Sequence, residues 1–328
     1  MTTPKTPANI AYGASTPFSS LEEARKMYDV LDRHQDTVKE LDTARTYGDS
    51  EKWIGELGLA KKYRTTSKAP PFQDPSKPGR GRENILEGAK ESFKLLQVDK
   101  IAVYLLHGPD VTTPFEVQME AVQQLYLEGK FEQFGISNFS PTQVLDIHRI
   151  ASEKGYVLPT VYQGPYSLLY RNIEHELFPT LRSLNISFQA YSPIAGGFLV
   201  KTPQFITDPP PGNRWSDKNS IGGKMYHGAF NNPKLLEFLG EFIEVSKEMG
   251  IGQAEIAYRW VRHHGVLDGG SGDSIVVGAS RPDQFEETLG FLERGPLGEE
   301  VVGRLEGMWE KVKDAAPHHD TMVKVFQS

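Results

Sequence analysis

Val38-Lys-Glu-Leu-Asp42-Thr-Ala-Arg-Thr-Tyr47 runs from a short β-type segment, residues 38–41, directly into an acid and a phenol. The same arrangement returns twice downstream. Residues 63–66 precede Lys68, and Ile101–Leu106 precedes His107. Further β-type runs lie at 10–12, 134–136, 161–162, 187–190 and Ser274–Val277. Between them stand stretches with apolar residues at three-and-four spacing, such as 84–96 and 114–128, the pattern of an amphipathic helix. Ser20-Leu-Glu-Glu23 and Ser140-Pro-Thr-Gln143 open two of these as capping boxes, the second with Pro at the first helical position. Strands alternating with helices imply a parallel sheet. Eight strands at roughly even spacing predict a closed (β/α)₈ barrel. An open doubly wound sheet is disfavoured, because Gly13 stands alone after the first run where such a sheet carries a Gly-rich phosphate loop.

The 328 residues suit one barrel domain spanning 1–328. A net charge of −7 gives no footprint for nucleic acid. The absence of cysteine removes disulfides, thiolate nucleophiles and Cys-ligated zinc. No apolar leader and no membrane-length apolar run is visible, so a soluble cytoplasmic protein is expected. The regular spacing breaks once, at 196–232, where Asp208-Pro-Pro-Pro-Gly-Asn-Arg-Trp215 typifies a Pro/Gly-rich insertion. Its composition predicts a mobile lid without structure of its own. Helices are expected at Pro233–Met249, 253–264 and 297–315, followed by a tail at 317–328.

Barrel enzymes build their active sites at the C-terminal ends of the strands. That end carries Asp42 and Tyr47, Ser67-Lys68, His107, Ser137-Asn138, Gln163, Tyr191-Ser192 and Gly278-Ala-Ser280-Arg281. A Tyr beside a Lys and a His can hand a proton to a carbonyl oxygen. A neighbouring ammonium favours phenolate, which predicts that Lys68 makes Tyr47 a stronger acid. Asp42 would hold the ammonium by a charge-assisted hydrogen bond. His107 would donate to the carbonyl oxygen and orient it. Neither a metal site nor an acyl nucleophile is expected. His263-His264 and His318-His319 are adjacent pairs that face different ways on a helix. Gly269-Gly-Ser-Gly272 precedes a strand, the wrong order for a dinucleotide fingerprint.

Leu41-Asp-Thr-Ala-Arg-Thr-Tyr-Gly-Asp-Ser-Glu51, with Ser67-Lys-Ala69, Leu106-His-Gly-Pro-Asp110 and Gly135-Ile-Ser-Asn-Phe-Ser140, resembles the aldo-keto reductases. It is most similar to the aflatoxin-aldehyde reductase branch and its fungal relatives. Glu128-Gly-Lys-Phe131 and Gly223-Lys-Met-Tyr226 point the same way. The resemblance implies NADPH-dependent reduction of a small-molecule aldehyde or ketone, with Asp42, Tyr47, Lys68 and His107 as the catalytic tetrad. It further implies that Ser137, Asn138 and Gln163 hold the nicotinamide carboxamide, that Tyr191 stacks on the ring and that Ser192 lies beside it. The run from Gly278 through Ser280, Arg281, Gln284 and Glu287 would bind the adenosine end, with Ser280 and Arg281 at the 2′-phosphate. Phe72, Trp215 and Tyr226 are candidate substrate contacts. The resembled family often has Asn where Thr288 stands here, and the resembled branch is often a homodimer. Two other readings stand beside this one: a cofactor-binding regulatory subunit, like the potassium-channel β subunits that resemble the family, and a Schiff-base enzyme using Lys68.

Overall fold

Eight parallel strands close into a barrel in sequence order. They are β1 (Asn9–Gly13), β2 (Val38–Asp42), β3 (Arg64–Ala69), β4 (Ile101–Leu106), β5 (Phe131–Ser137), β6 (Pro159–Pro165), β7 (Ser187–Tyr191) and β8 (Ser274–Val277). The computed structural model describes residues 5–15, 18, 20–70, 80–212, 215–217, 221–318 and 321. Phe72 and most of the tail at 317–328 lie outside them.

The strand runs read from sequence fall inside these elements except at Tyr63, which precedes β3, and several strands are longer. Lys68 and Gln163 therefore lie within β3 and β6 instead of after them. The helices begin where their capping chemistry places them. Ser140 Oγ accepts from the Gln143 amide at 3.2 Å and the Gln143 side chain accepts from the Ser140 amide at 2.9 Å, a complete capping box for Pro141–Lys154. Asn232 caps Pro233–Met249 in the same way from one side.

Side chains alternate across each strand, so one set fills the lumen and the other meets the helices. Tyr12, Tyr104, Tyr162 and Phe188 face the helical layer and are buried there. The Tyr104 hydroxyl, for example, donates to the Ile85 carbonyl in the helix Gly81–Leu96 at 3.3 Å. The opposite set points inward. Val103, Leu105 and Val161, with Ala102, form a small apolar cluster of their own. Gly135 makes room for them, since a Cβ there would lie 2.3 Å from Leu105 and 2.5 Å from the Val161 carbonyl. Polar residues are buried as well: Asp42, Lys68, Gln163, Gln189 and Ser274.

The insertion at 196–232 corrects the expectation of a structureless lid. It contains the helical segments Ala195–Val200, Pro203–Thr207 and Ile221–Phe230. An aromatic cluster supplies a core: Phe198 lies 5.4 Å from Phe230 and 6.1 Å from Trp215, and Trp215 lies 5.8 Å from Tyr226, centroid to centroid. Composition hid this, because a few aromatics can nucleate packing in a segment that Pro and Gly otherwise dominate.

Candidate active site

Asp42 ends β2 and Lys68 sits near the end of the neighbouring β3, both pointing into the lumen. Lys68 is fully buried, and its Nζ donates to Asp42 Oδ1 at 2.7 Å and to the Thr43 carbonyl at 2.8 Å. A charge this deep persists only when paired and hydrogen-bonded. Burial lowers the Lys68 ammonium from its ordinary value, and Asp42, then Glu51, oppose that shift. The ammonium is held by two acceptors, Asp42 and the Thr43 carbonyl, and this pairing argues against the Schiff-base reading.

Tyr47 reaches back over this pair from the loop after β2. Lys68 Nζ lies 4.9 Å from its ring centroid, and the His107 ring stands edge-on at 5.6 Å and 82°. The expectation that Lys68 would acidify Tyr47 is corrected here. Burial pushes the Tyr47 phenol well above its ordinary value, and Asp42 and Tyr226 add to the rise. Desolvation is the main reason, and the ammonium that was to stabilise phenolate is already matched by the Asp42 carboxylate. Burial likewise holds His107 well below the ordinary imidazole value, with the Lys68 charge adding to it, so the ring is neutral at pH 7. Its Nδ1 is buried and has no hydrogen-bond partner among the described residues.

Ser137, Asn138 and Tyr191 form one side-chain network beside the tetrad, and Gln163 forms another with Asp42 and Gln189. Asn138 Nδ2 donates to the His107 carbonyl at 3.0 Å and to Ser137 Oγ at 3.1 Å, and Asn138 Oδ1 accepts from the Tyr191 hydroxyl at 2.8 Å. Gln163 Nε2 donates to Asp42 Oδ1 at 2.7 Å and to Gln189 Oε1 at 3.0 Å. Asn138, Ser192 and Ala195 have positive φ, three of the five non-Gly residues that do so among the described residues. Such conformations gather where surrounding structure forces them, often at functional sites.

Tyr226 comes in from the insertion, its hydroxyl 3.3 Å from Ser192 Oγ. Its ring lies against Gly196, whose φ is +64° and where a Cβ would fall 1.9 Å from the ring. Trp215, by contrast, is buried within the insertion's own cluster, and its carbonyl meets His227 Nε2 at 2.7 Å.

Ser280 and Arg281 are exposed where β8 gives way to the helix Pro282–Glu293. Arg281 is the N-cap residue and makes no side-chain cap, so the first amides of that helix have no cap from it. Ser280 Oγ donates to Gln284 Oε1 at 3.0 Å, and Arg281 Nε to Asp283 Oδ1 at 3.1 Å. Gly278 and Glu287 are exposed on the same segment, whereas Thr288 is buried and its Oγ1 donates to the Gln284 carbonyl at 2.8 Å. The histidine pair behaves as a structural feature: His263 Nε2 is 3.0 Å from the Arg294 carbonyl and His264 Nε2 accepts from the Leu297 amide. No group of three or more metal-ligating side chains occurs among the described residues.

Two buried residues escaped the sequence reading. Glu51 is fully buried behind β3, accepts from Ser67 Oγ at 2.6 Å, and its carboxyl is raised by burial. Its position four residues after Tyr47 was visible; its burial was not. Gln189 carried no signal, since a lone Gln in a strand is ordinary.

The model of the Aldo/keto reductase family matches residues 9–310. The oxidoreductase sirO of Leptosphaeria maculans is 41% identical over 301 residues, covering 91% of this chain and 89% of that protein. Aflatoxin B1 aldehyde reductase member 2 of Homo sapiens is 33% identical over 300 residues, covering 85% and 80%. The aldo-keto reductase pigE of Monascus ruber is 30% identical, covering 90% and 89%. With its closed eight-stranded barrel and this match along almost its whole length, the chain belongs to the aldo/keto reductase family of NAD(P)H-dependent oxidoreductases acting on carbonyl compounds.

Proposed function

We propose that the protein reduces an aldehyde or ketone with NADPH, and that Tyr47 gives the proton to the carbonyl oxygen. The observation that carries this reading is the buried Lys68–Asp42 pair lying beneath the Tyr47 ring, with a neutral His107 edge-on to it. Tyr47, raised well above its ordinary value, stays protonated at neutral pH and so keeps its proton available. Lys68 is close enough to stabilise negative charge as it develops on the phenolic oxygen during transfer, when a fixed charge in a dry site counts most. Asp42 and the Thr43 carbonyl hold Lys68 against the barrel wall. Neutral His107 orients the carbonyl oxygen through a ring N–H.

The residues present also fit a nicotinamide. His107 Nδ1 is an orphaned buried atom among the described residues. Both donor hydrogens of Gln163 and of Asn138 are spent within the protein, which leaves the Gln163 carbonyl oxygen and, beside its bond from Tyr191, the second lone pair of Asn138 Oδ1 to accept. Ser137 Oγ already accepts from Asn138, which leaves its hydrogen to donate. Two acceptors and a donor complement the N–H groups and the oxygen of a primary carboxamide. The Tyr191 hydroxyl is tied to Asn138, leaving the ring to stack. Ser280 and Arg281 at a helix start suit a 2′-phosphate, and Gly278, Gln284 and Glu287 on the same segment are proposed to meet the adenosine. NADPH, when bound, supplies the hydride. The aldehyde reductase named among the relatives supports an aldehyde as substrate, with Tyr226 and Ser192 on one wall of the pocket.

Tyr47→Phe tests the reading directly. Turnover of a reactive aldehyde is expected to fall about 10²–10⁴-fold, the usual worth of general acid catalysis, with NADPH affinity unchanged in a fluorescence titration. Near wild-type turnover with chemistry rate-limiting would remove Tyr47 from the role.

A further inference from the structure

The polar residues of the lumen do not stop at the tetrad. Gln163 on β6 and Gln189 on β7 are register partners, both buried and both facing inward. A carboxylate only accepts, so the atom of the Gln163 amide that meets Asp42 Oδ1 at 2.7 Å is its nitrogen. The second hydrogen of that nitrogen goes to Gln189 Oε1 at 3.0 Å. One amide hydrogen is thus held by Asp42 and the other by Gln189, and only the Gln163 carbonyl is left to meet a ligand. Gln189 in turn stands at the edge of a polar cavity of about 310 Å³ at the opposite end of the barrel, shared with Glu40, Asn9 and Ser187.

We propose that Gln189 is a positioning residue that completes what Asp42 begins: it takes the second N–H of Gln163, so that the site presents an acceptor, never a donor, to the cofactor's carboxamide. The proposal rests on the carbonyl reductase reading above. Without Gln189 one N–H of Gln163 loses its buried partner. A buried donor seeks a new acceptor, and the nearest ligand acceptor is the carboxamide oxygen, which Ser137 otherwise serves. Asp42 still holds the other N–H, so the amide discriminates less sharply, not randomly, between the two ends of the group it recognises.

Binding titrations of the cofactor-free protein separate this from a general loss of structure. The probes are NADP⁺; its acetylpyridine analogue, in which an acetyl group replaces the carboxamide and so offers a carbonyl but no N–H; and 2′,5′-ADP, which lacks the ring altogether. In the wild type NADP⁺ binds more tightly than the analogue. Gln189→Leu is expected to weaken NADP⁺ about three- to tenfold, the usual worth of one hydrogen bond, to narrow the gap to the analogue, and to leave 2′,5′-ADP unchanged. Gln189→Glu keeps an acceptor of the same length and is expected to retain the gap; it also serves if the Leu variant fails to fold. Equal weakening of 2′,5′-ADP, or an unchanged gap in Gln189→Leu, overturns the assignment while leaving the reductase reading intact. A folded wild type that binds 2′,5′-ADP but prefers NADP⁺ no more than 2′,5′-ADP overturns the nicotinamide reading and the assignment with it.

Discussion

The tetrad and the segment after β8 meet their surroundings in opposite ways. Lys68 is fully buried and Asp42 nearly so; Lys68 donates to Asp42 and to the Thr43 carbonyl, and Asp42 accepts from both Lys68 and Gln163. Ser280 and Arg281 are exposed, and their partners, Gln284 and Asp283, are local residues a few positions away. A buried network is preorganised: its geometry is set by three strands and does not wait for a ligand. The exposed segment is held only by contacts that water replaces at little cost, so a phosphate can displace them. The first arrangement suits chemistry, where position decides rate; the second suits capture of a charged group from solution.

The sharpest way to break this contrast is to delete one member of each pair. Lys68→Met leaves the Asp42 carboxylate buried without its cation, and is expected to destabilise the fold by about 3–5 kcal/mol in urea unfolding. Lys68→Met combined with Asp42→Leu should recover much of that loss. A stable single variant would mean that the pair is open to water.

Acid titration probes the same interior. The His107 pKa is held well below its ordinary value of 6.5. As pH falls through about 6.5 the unfolded chain takes up a proton that the native imidazole refuses. Stability therefore falls with falling pH below about 6.5, down to the depressed native value, and His107 contributes to that slope. His107→Gln is expected to show a shallower decline between pH 6.5 and 5, and the wild-type imidazole resonances should hold their neutral positions across that range. A His107 resonance titrating near 6.5 would place the ring in water.

The smallest expected effect belongs to the exposed segment. The Arg281–Asp283 pair is two-thirds or more exposed on both sides. Arg281→Ala should change stability by no more than about 0.5 kcal/mol. It should weaken NADPH more than NADH, and the difference should shrink as salt rises. Equal weakening of both would move the phosphate contact elsewhere.

Much of the architecture was legible because periodicity is local. Residues 38–41 and Ile101–Leu106 announce strands, and the Ser140 capping box announces the start of its helix from four consecutive residues. The insertion was misjudged for the same reason. Pro and Gly dominate it locally, but Phe198, Trp215, Tyr226 and Phe230 meet only after the chain folds back on itself. Tyr47 was placed correctly beside Lys68 and its acidity was misjudged, because one charge was weighed without the desolvation that surrounds it and without the anion that cancels it.

The sequence by itself determined the alternation of strand and helix, and the residue types at the strand ends, since both are written in spacings of a few residues. Only the tertiary structure decided charge states and hydrogen-bond polarity. Gln163 and Asp42 are 121 residues apart in the chain yet 2.7 Å apart in space. The direction in which an amide points, and whether a phenol or an imidazole holds its proton, are set by such partners and by exclusion of water. Neither exists until the barrel closes.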